Sequence, residues 1–60
     1  MSGQPRILII DDEPAIRFGL RDFLEHHGCE VVEAETCEAA RLAFHETAPD
    51  AVVLDYSLRD

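Results

Sequence analysis

Ile7-Leu8-Ile9-Ile10-Asp11-Asp12-Glu13-Pro14 is the stretch that decides the fold. Four aliphatic residues run directly into three acids and then a proline. An unbroken apolar run of this length predicts a strand covered on both faces, as in parallel sheets. Pro14 suits the first turn of a helix, where a missing N–H leaves no bond unmade. A buried strand therefore ends by delivering adjacent carboxylates to the edge of a sheet, and a helix begins behind them. Ala51-Val52-Val53-Leu54-Asp55 repeats the pattern, with a second aliphatic strand ending in an acid.

The segments between these two runs alternate helix and strand. The first strand is expected over about Arg6–Asp11, preceded by a loose tail at residues 1–5. The first helix is expected from Pro14 to a stop at Gly28, a residue suited to the left-handed position after a helix. Ile16, Leu20, Phe23 and Leu24 fall at i, i+4, i+7 and i+8 and form its expected apolar stripe. Phe18 lies off that stripe and needs a second covering surface. Asp12 and Glu13 stand at its start, where the helix dipole favours negative charge. A second strand is expected over about Glu30–Ala34, with acids flanking Val31 and Val32 in the manner of an edge strand. Thr36 is the expected N-cap of a second helix, which carries Ala40, Ala43, Phe44 and Thr47 on one face and breaks at Ala48-Pro49-Asp50.

The order β-α-β-α-β implies a parallel sheet with right-handed crossovers. In doubly wound sheets, ligands sit outside the carboxyl ends of the strands, where strand order reverses. If the first and third strands are neighbours, about 4.8 Å apart, then Asp11, Asp12 and Asp55 converge there.

Composition narrows the function. Sixty residues allow one small domain, and a chain of this length buries only about 60% of its unfolded surface. The apolar fraction is 47%, that of a folding chain. Thirteen acids face five arginines and no lysine, for a net charge of -8. That balance argues against direct contact with nucleic acid or an anionic membrane, and suits cations or a basic protein surface. Cys29 and Cys37 are too few for a disulfide scaffold and read as small, buried, reduced residues. No apolar signal core and no span of about 18 apolar residues is present, so a cytoplasmic setting is expected. His26 and His27 close the first helix, where the dipole favours a cation, and adjacent helical residues do not share a face. Arg17, Arg21 and Arg41 are expected to pair with acids on the helices.

Carboxylates gathered within a few ångströms repel one another, and a hard divalent cation removes that repulsion. Mg²⁺ takes one or two carboxylates and keeps several waters. A carboxylate beside it can attack a phosphoryl group in line. For any one acid alone, a solvated strand end is the simpler reading. The coincidence of Asp11-Asp12 and Asp55, each directly after an aliphatic strand, carries the functional one.

The run at 7–14, the helix ending at Gly28, and Pro-Asp-Ala-Val-Val-Leu-Asp-Tyr-Ser-Leu at 49–58 together resemble a response-regulator receiver domain, from Arg6 onward. The style is closest to receivers of transcriptional regulators of the sigma-54 activator type. The resemblance implies a flavodoxin-like (CheY-like) doubly wound parallel α/β sheet. It implies that Asp55 is the phosphoacceptor, taking its phosphoryl group from the phosphohistidine of a sensor histidine kinase. It implies that Asp12 and Asp55 give oxygens to Mg²⁺, that Asp11 acts through a bound water, and that Ser57 offers its backbone carbonyl to the metal. Ser57 also occupies the position whose side chain tunes phosphorylation in the family, and Arg59 stands where the family often has proline. The implied role is a non-enzymatic signalling module that controls transcription through an output domain. Family members carry two further strands, ending in Ser or Thr and in Lys, and three further helices. None of these is found within residues 1–60, which are expected to be the N-terminal part of a single receiver domain. The third strand is then expected to expose an apolar edge open to self-association.

Two alternatives stand beside this. A strand-pairing assembly module would use that edge alone. A Mg²⁺-dependent phosphohydrolase of the haloacid-dehalogenase type needs Asp-x-Asp, and Asp55-Tyr56-Ser57 lacks the second acid. A dinucleotide site needs Gly-x-Gly-x-x-Gly after the first strand, where Asp11-Asp12-Glu13-Pro14 stands instead.

Overall fold

The structure is a computed structural model that describes residues 3–54. Its elements run β1 (Arg6–Ile10), α1 (Pro14–His26), β2 (Glu30–Ala34), α2 (Cys37–Thr47) and β3 (Ala51–Leu54). The three strands form one parallel sheet in the order β2-β1-β3. Arg6 pairs with Glu30 and Ile10 with Ala34 on one side of β1, and Ile7 with Ala51 and Ile10 with Leu54 on the other. This is the β-α-β-α-β arrangement of a receiver-type sheet.

The central strand is the aliphatic one, as its sequence requires. Leu8 and Ile9 are fully buried and Ile10 nearly so. Successive strand residues face opposite ways. Leu8 and Ile10 join Ala34 and Ala40 in the core, with Val32 and Ala43 against it, so α2 covers that face. The opposite face, carrying Ile9 and Glu33, receives α1, whose Arg17 and Arg21 reach Glu33. The two helices thus lie on opposite sides of the sheet. Strand order reverses between β1 and β3, the position where doubly wound sheets place their ligands.

Local signals set the helix ends. At the end of α1, Gly28 has φ +86°, its N–H bonds Glu25 O, and Cys29 N–H bonds Leu24 O, the paired closure of a Schellman motif. Thr36 caps α2 by accepting a hydrogen bond from Ala39 N–H at 3.1 Å. The helix stops at Ala48, a left-handed residue with φ 49° before Pro49. At the amino edge of the sheet, Arg6 gathers three segments. Its backbone N–H bonds Asp50 Oδ2 at 2.8 Å, its Nη1 donates to Thr47 O, and its Nη2 pairs with Glu30 at 3.2 Å.

The structure corrects four expectations. β3 is aliphatic but not buried: Val52, Val53 and Leu54 are all exposed, because among the described residues neither helix packs on it. The sheet-facing side of α1 is not the Ile16 stripe. Leu20 and Leu24 are half-buried, but Ile16 and Phe23 are exposed, and Arg17 takes the buried place. Arg17 and Arg21 pair with a strand acid, Glu33, and not with helix acids. Cys37 is exposed at the first position of α2, while Cys29 is half-buried. Phe18 is half exposed, with the Arg17 and Arg21 guanidiniums 5.9 and 5.2 Å from its ring centre.

Candidate functional site

The site begins where β1 ends. The last ladder bond runs from Asp11 N–H to Ala34 O at 3.1 Å, one residue beyond the last strand position. That bond holds Asp11 against β2 and leaves it buried, at 4% exposure. Its side chain then turns back on its own chain, and Oδ1 accepts Glu13 N–H at 2.9 Å. An aspartate accepting the amide two residues on forms a side-chain-closed turn, which suits the join between strand and helix. Glu13 occupies the N-cap position of α1 but makes no side-chain cap. Its carbonyl starts the helix by accepting Arg17 N–H at 3.0 Å. Asp12, between these fixed groups, is exposed.

The two carboxylates of the acidic pair therefore differ in character. Asp11 is enclosed, with one oxygen committed to the turn. Asp12 stands in solvent at the mouth of the sheet. Asp55 and Ser57 lie outside the described residues. The described part of the site thus holds two carboxylates, and among the described residues no group of three or more His, Cys, Asp or Glu side chains could hold a metal ion. The donor chemistry suits Mg²⁺, a hard cation that binds through one or two carboxylates and retains water, and a solvent-facing Asp12 leaves room for that water.

A cationic cluster that sequence reading missed supports the loop from behind. Arg17 Nη1 donates to Asp11 O at 2.9 Å in a buried contact. Arg17 Nε pairs with Glu33 Oε1 at 3.1 Å, and Arg21 Nη1 with Glu33 Oε2 at 2.6 Å. Glu35 lies 3.8 Å from Arg17 Nη2 on the exposed side. The signal was available in strand parity: Glu33 shares the face of Val31, opposite to Val32 and Ala34, so α1 had to bring a countercharge.

On the other face, an apolar groove of about 360 Å³ runs between α2 and the sheet, bordered by Leu8, Phe44, Val52 and Leu54. His27 stacks on Phe23 at 4.4 Å between ring centres and its Nδ1 lies 2.8 Å from Phe23 O, a helix-closing contact remote from the acids. Among the described residues, no helix is long and apolar enough to cross a membrane.

Comparison with known proteins agrees with this geometry. Residues 7–60 match the family described as the response regulator receiver domain. The chain is 44% identical over 54 residues to the KDP operon transcriptional regulatory protein KdpE of Escherichia coli (strain K12), covering 90% of this chain and 24% of that protein. It is 40% identical over 53 residues to the phosphate regulon transcriptional regulatory protein PhoB of the same organism, covering 88% and 23%. It is 37% identical over 59 residues to the transcriptional regulatory protein TrcR of Mycobacterium tuberculosis (strain ATCC 25618 / H37Rv), covering 97% and 23%. The chain spans about a quarter of the length of these curated relatives. No solved structure matches it significantly.

Proposed function

The chain belongs to the response regulator receiver domain family, and from that premise we propose that it is a phosphoacceptor module in which Asp55 takes a phosphoryl group from the phosphohistidine of a sensor histidine kinase. An Asp55 carboxylate oxygen attacks phosphorus, the P–N bond to the kinase imidazole breaks, and the ring nitrogen recovers the electron pair. The product is an acyl phosphate on Asp55. Asp12 and Asp55 would give carboxylate oxygens to Mg²⁺, Asp11 would act through a bound water, and Ser57 would offer its backbone carbonyl. The chemistry Mg²⁺ would supply there is neutralisation of charge on the oxygens of the incoming phosphoryl group. Residues 1–60 form the N-terminal part of one receiver domain in a cytoplasmic regulator of transcription. The module itself, with a net charge of -8, does not contact nucleic acid.

One observation carries this reading. β1 and β3 are parallel neighbours in register, with Ile10 opposite Leu54. Asp11 follows the first of these residues and Asp55 the second, and consecutive Cα atoms are about 3.8 Å apart. The register therefore supports a shared acidic site at the switch point of the sheet. The sigma-54 activator subtype rests on the style of the strand-end motifs alone. The relatives are all described as transcriptional regulatory proteins, so the proposal is made at the level of transcriptional control.

The test is a Mg²⁺ titration of the intact protein and of its Asp12→Ala and Asp55→Asn variants, followed by labelling with a small-molecule phosphodonor. Both substitutions are expected to weaken Mg²⁺ binding, and Asp55→Asn to abolish labelling. Unchanged affinity in both variants, or label surviving in Asp55→Asn, would overturn the reading.

A second reading concerns self-association. β3 is bonded only to β1 among the described residues, and its Val52 and Leu54 side chains are 45% and 57% exposed. Such an edge can take a strand from a second copy. Sedimentation that returns a monomer at every concentration of the intact protein would exclude it.

A further inference from the structure

We propose that Arg17 is a positioning residue for the acidic loop, setting its affinity for Mg²⁺ without touching the metal; this rests on the metal-site reading above. Arg17 occupies a sheet-facing place on α1 at 8% exposure. An apolar side chain there would pack at least as well, and burying a guanidinium is worthwhile only when its donors are well met. They are met at one end of the sheet. Nη1 donates to Asp11 O at 2.9 Å, Nε to Glu33 Oε1 at 3.1 Å, and Nη2 faces Glu35 at 3.8 Å.

The carbonyl of Asp11 belongs to the peptide that joins Asp11 to Asp12. Holding that oxygen fixes the plane of the peptide, and with it the direction in which the chain carries Asp12. The other side of the loop is fixed independently, by Asp11 N–H on Ala34 O and by Glu13 N–H on Asp11 Oδ1. Glu33 is a firm anchor because Arg21 grips its second oxygen at 2.6 Å. The exposed carboxylate of Asp12 thus projects from a loop whose flanking peptide groups are tied to β2 and to α1. A planar fork is needed for this, since one donor must reach the Asp11 carbonyl just past β1 while another reaches a carboxylate on β2.

The alternative is that Arg17 acts as a charge alone, and the two ideas differ in sign. A bare cation beside the acids competes with Mg²⁺, so its removal would tighten metal binding. A positioning residue, when removed, loosens it. In the intact protein, Arg17→Lys and Glu33→Gln are each expected to weaken Mg²⁺ binding about tenfold, at the lower end of what losing an outer partner of a metal ligand does. Arg17→Ala is expected to do so at least as much, with Lys giving no rescue. Without Mg²⁺, amide exchange at Glu13 N–H is expected to quicken in all three variants.

Wild-type or tighter Mg²⁺ affinity in folded Arg17→Lys and Glu33→Gln overturns the inference, as does a lowered unfolding midpoint with unchanged affinity and unchanged Glu13 exchange. Asp12→Ala and Asp55→Asn run alongside. If these two abolish binding and the Arg17 and Glu33 variants do not shift it, the positioning role alone fails. If these two leave affinity unchanged, the metal-site reading fails and takes the inference with it.

Discussion

Asp11 closes a turn and, in the proposed site, serves Mg²⁺, and a pair of substitutions can separate the two. The residue is 4% exposed, and its Oδ1 accepts Glu13 N–H at 2.9 Å. That amide precedes α1 at a position with no other side-chain cap. Asp11→Ala removes the acceptor and strands a donor at the strand-helix junction. A hydrogen bond to a charged acceptor contributes about 1.5–3 kcal/mol, so the expected loss is about 2 kcal/mol, or roughly 4–8 °C in Tm per kcal/mol for a domain of this size. Asp11→Asn keeps an oxygen at Oδ1 and loses only the charge assistance. Its cost is about 1 kcal/mol or less, offset in part by reduced repulsion from Asp12. Mg²⁺ affinity behaves differently. Both variants lose the negative charge, so both are expected to bind about tenfold more weakly. Urea unfolding in EDTA measures the first effect and a Mg²⁺ titration of the folded protein the second. Equal destabilisation by Asn and Ala would refute the turn-closing role of the carboxylate. Wild-type Mg²⁺ affinity in Asp11→Asn would remove Asp11 from the metal site.

Three further outcomes are expected, each read from urea midpoints of the intact protein. Ile9→Ala deletes a side chain that is 0% exposed and should cost about 3–4 kcal/mol, whereas Val52→Ala at 45% exposure should cost below about 1; similar losses at both would contradict the described covering of β1. Thr36→Ala removes the acceptor for Ala39 N–H and should cost about 1 kcal/mol, with Thr36→Ser restoring most of it. The two left-handed helix ends should respond with opposite sign. Gly28→Ala, at φ +86° with nothing within 4 Å of the added Cβ, should lose about 1–2 kcal/mol, and Ala48→Gly, at φ 49°, should gain about 0.5–1 kcal/mol, so a shared sign would refute the backbone argument.

Much of the fold was legible because its strongest signals are local. Ile7–Ile10 admits few placements other than a central strand, and Gly28 and Thr36 each satisfy a particular backbone need at a helix end. The open edge of β3 was expected, but the covering of its faces was misread for a non-local reason. Ala51–Leu54 is as aliphatic as a buried strand, yet its exposure depends on what packs over it, and among the described residues only β1 adjoins it. The stripe on α1 failed similarly. Ile16, Leu20, Phe23 and Leu24 satisfy helical periodicity, but so do Arg17, Leu20, Arg21 and Leu24 at i, i+3, i+4 and i+7. Apolar counting prefers the first set, and the structure turns the second toward the sheet.

What decides between those two sets is a charge on β2. Glu33 is the acid in the strand Glu-Val-Val-Glu-Ala whose parity directs it to the α1 face. An isolated carboxylate there would be costly unless α1 answered it with a cation, and Arg17 and Arg21 are the basic residues of α1 at the right spacing. Rotating α1 to bring Ile16 and Phe23 inward would bury more apolar surface but leave Glu33 unanswered. The polar solution also brings a guanidinium to the Asp11 carbonyl, so one choice of helix face serves both the burial of β2 and the rigidity of the acidic loop. On the proposed reading, the strand that supplies no metal ligand thereby enters the chemistry of the site, because Glu33 anchors the Arg17 side chain that holds the Asp11 carbonyl.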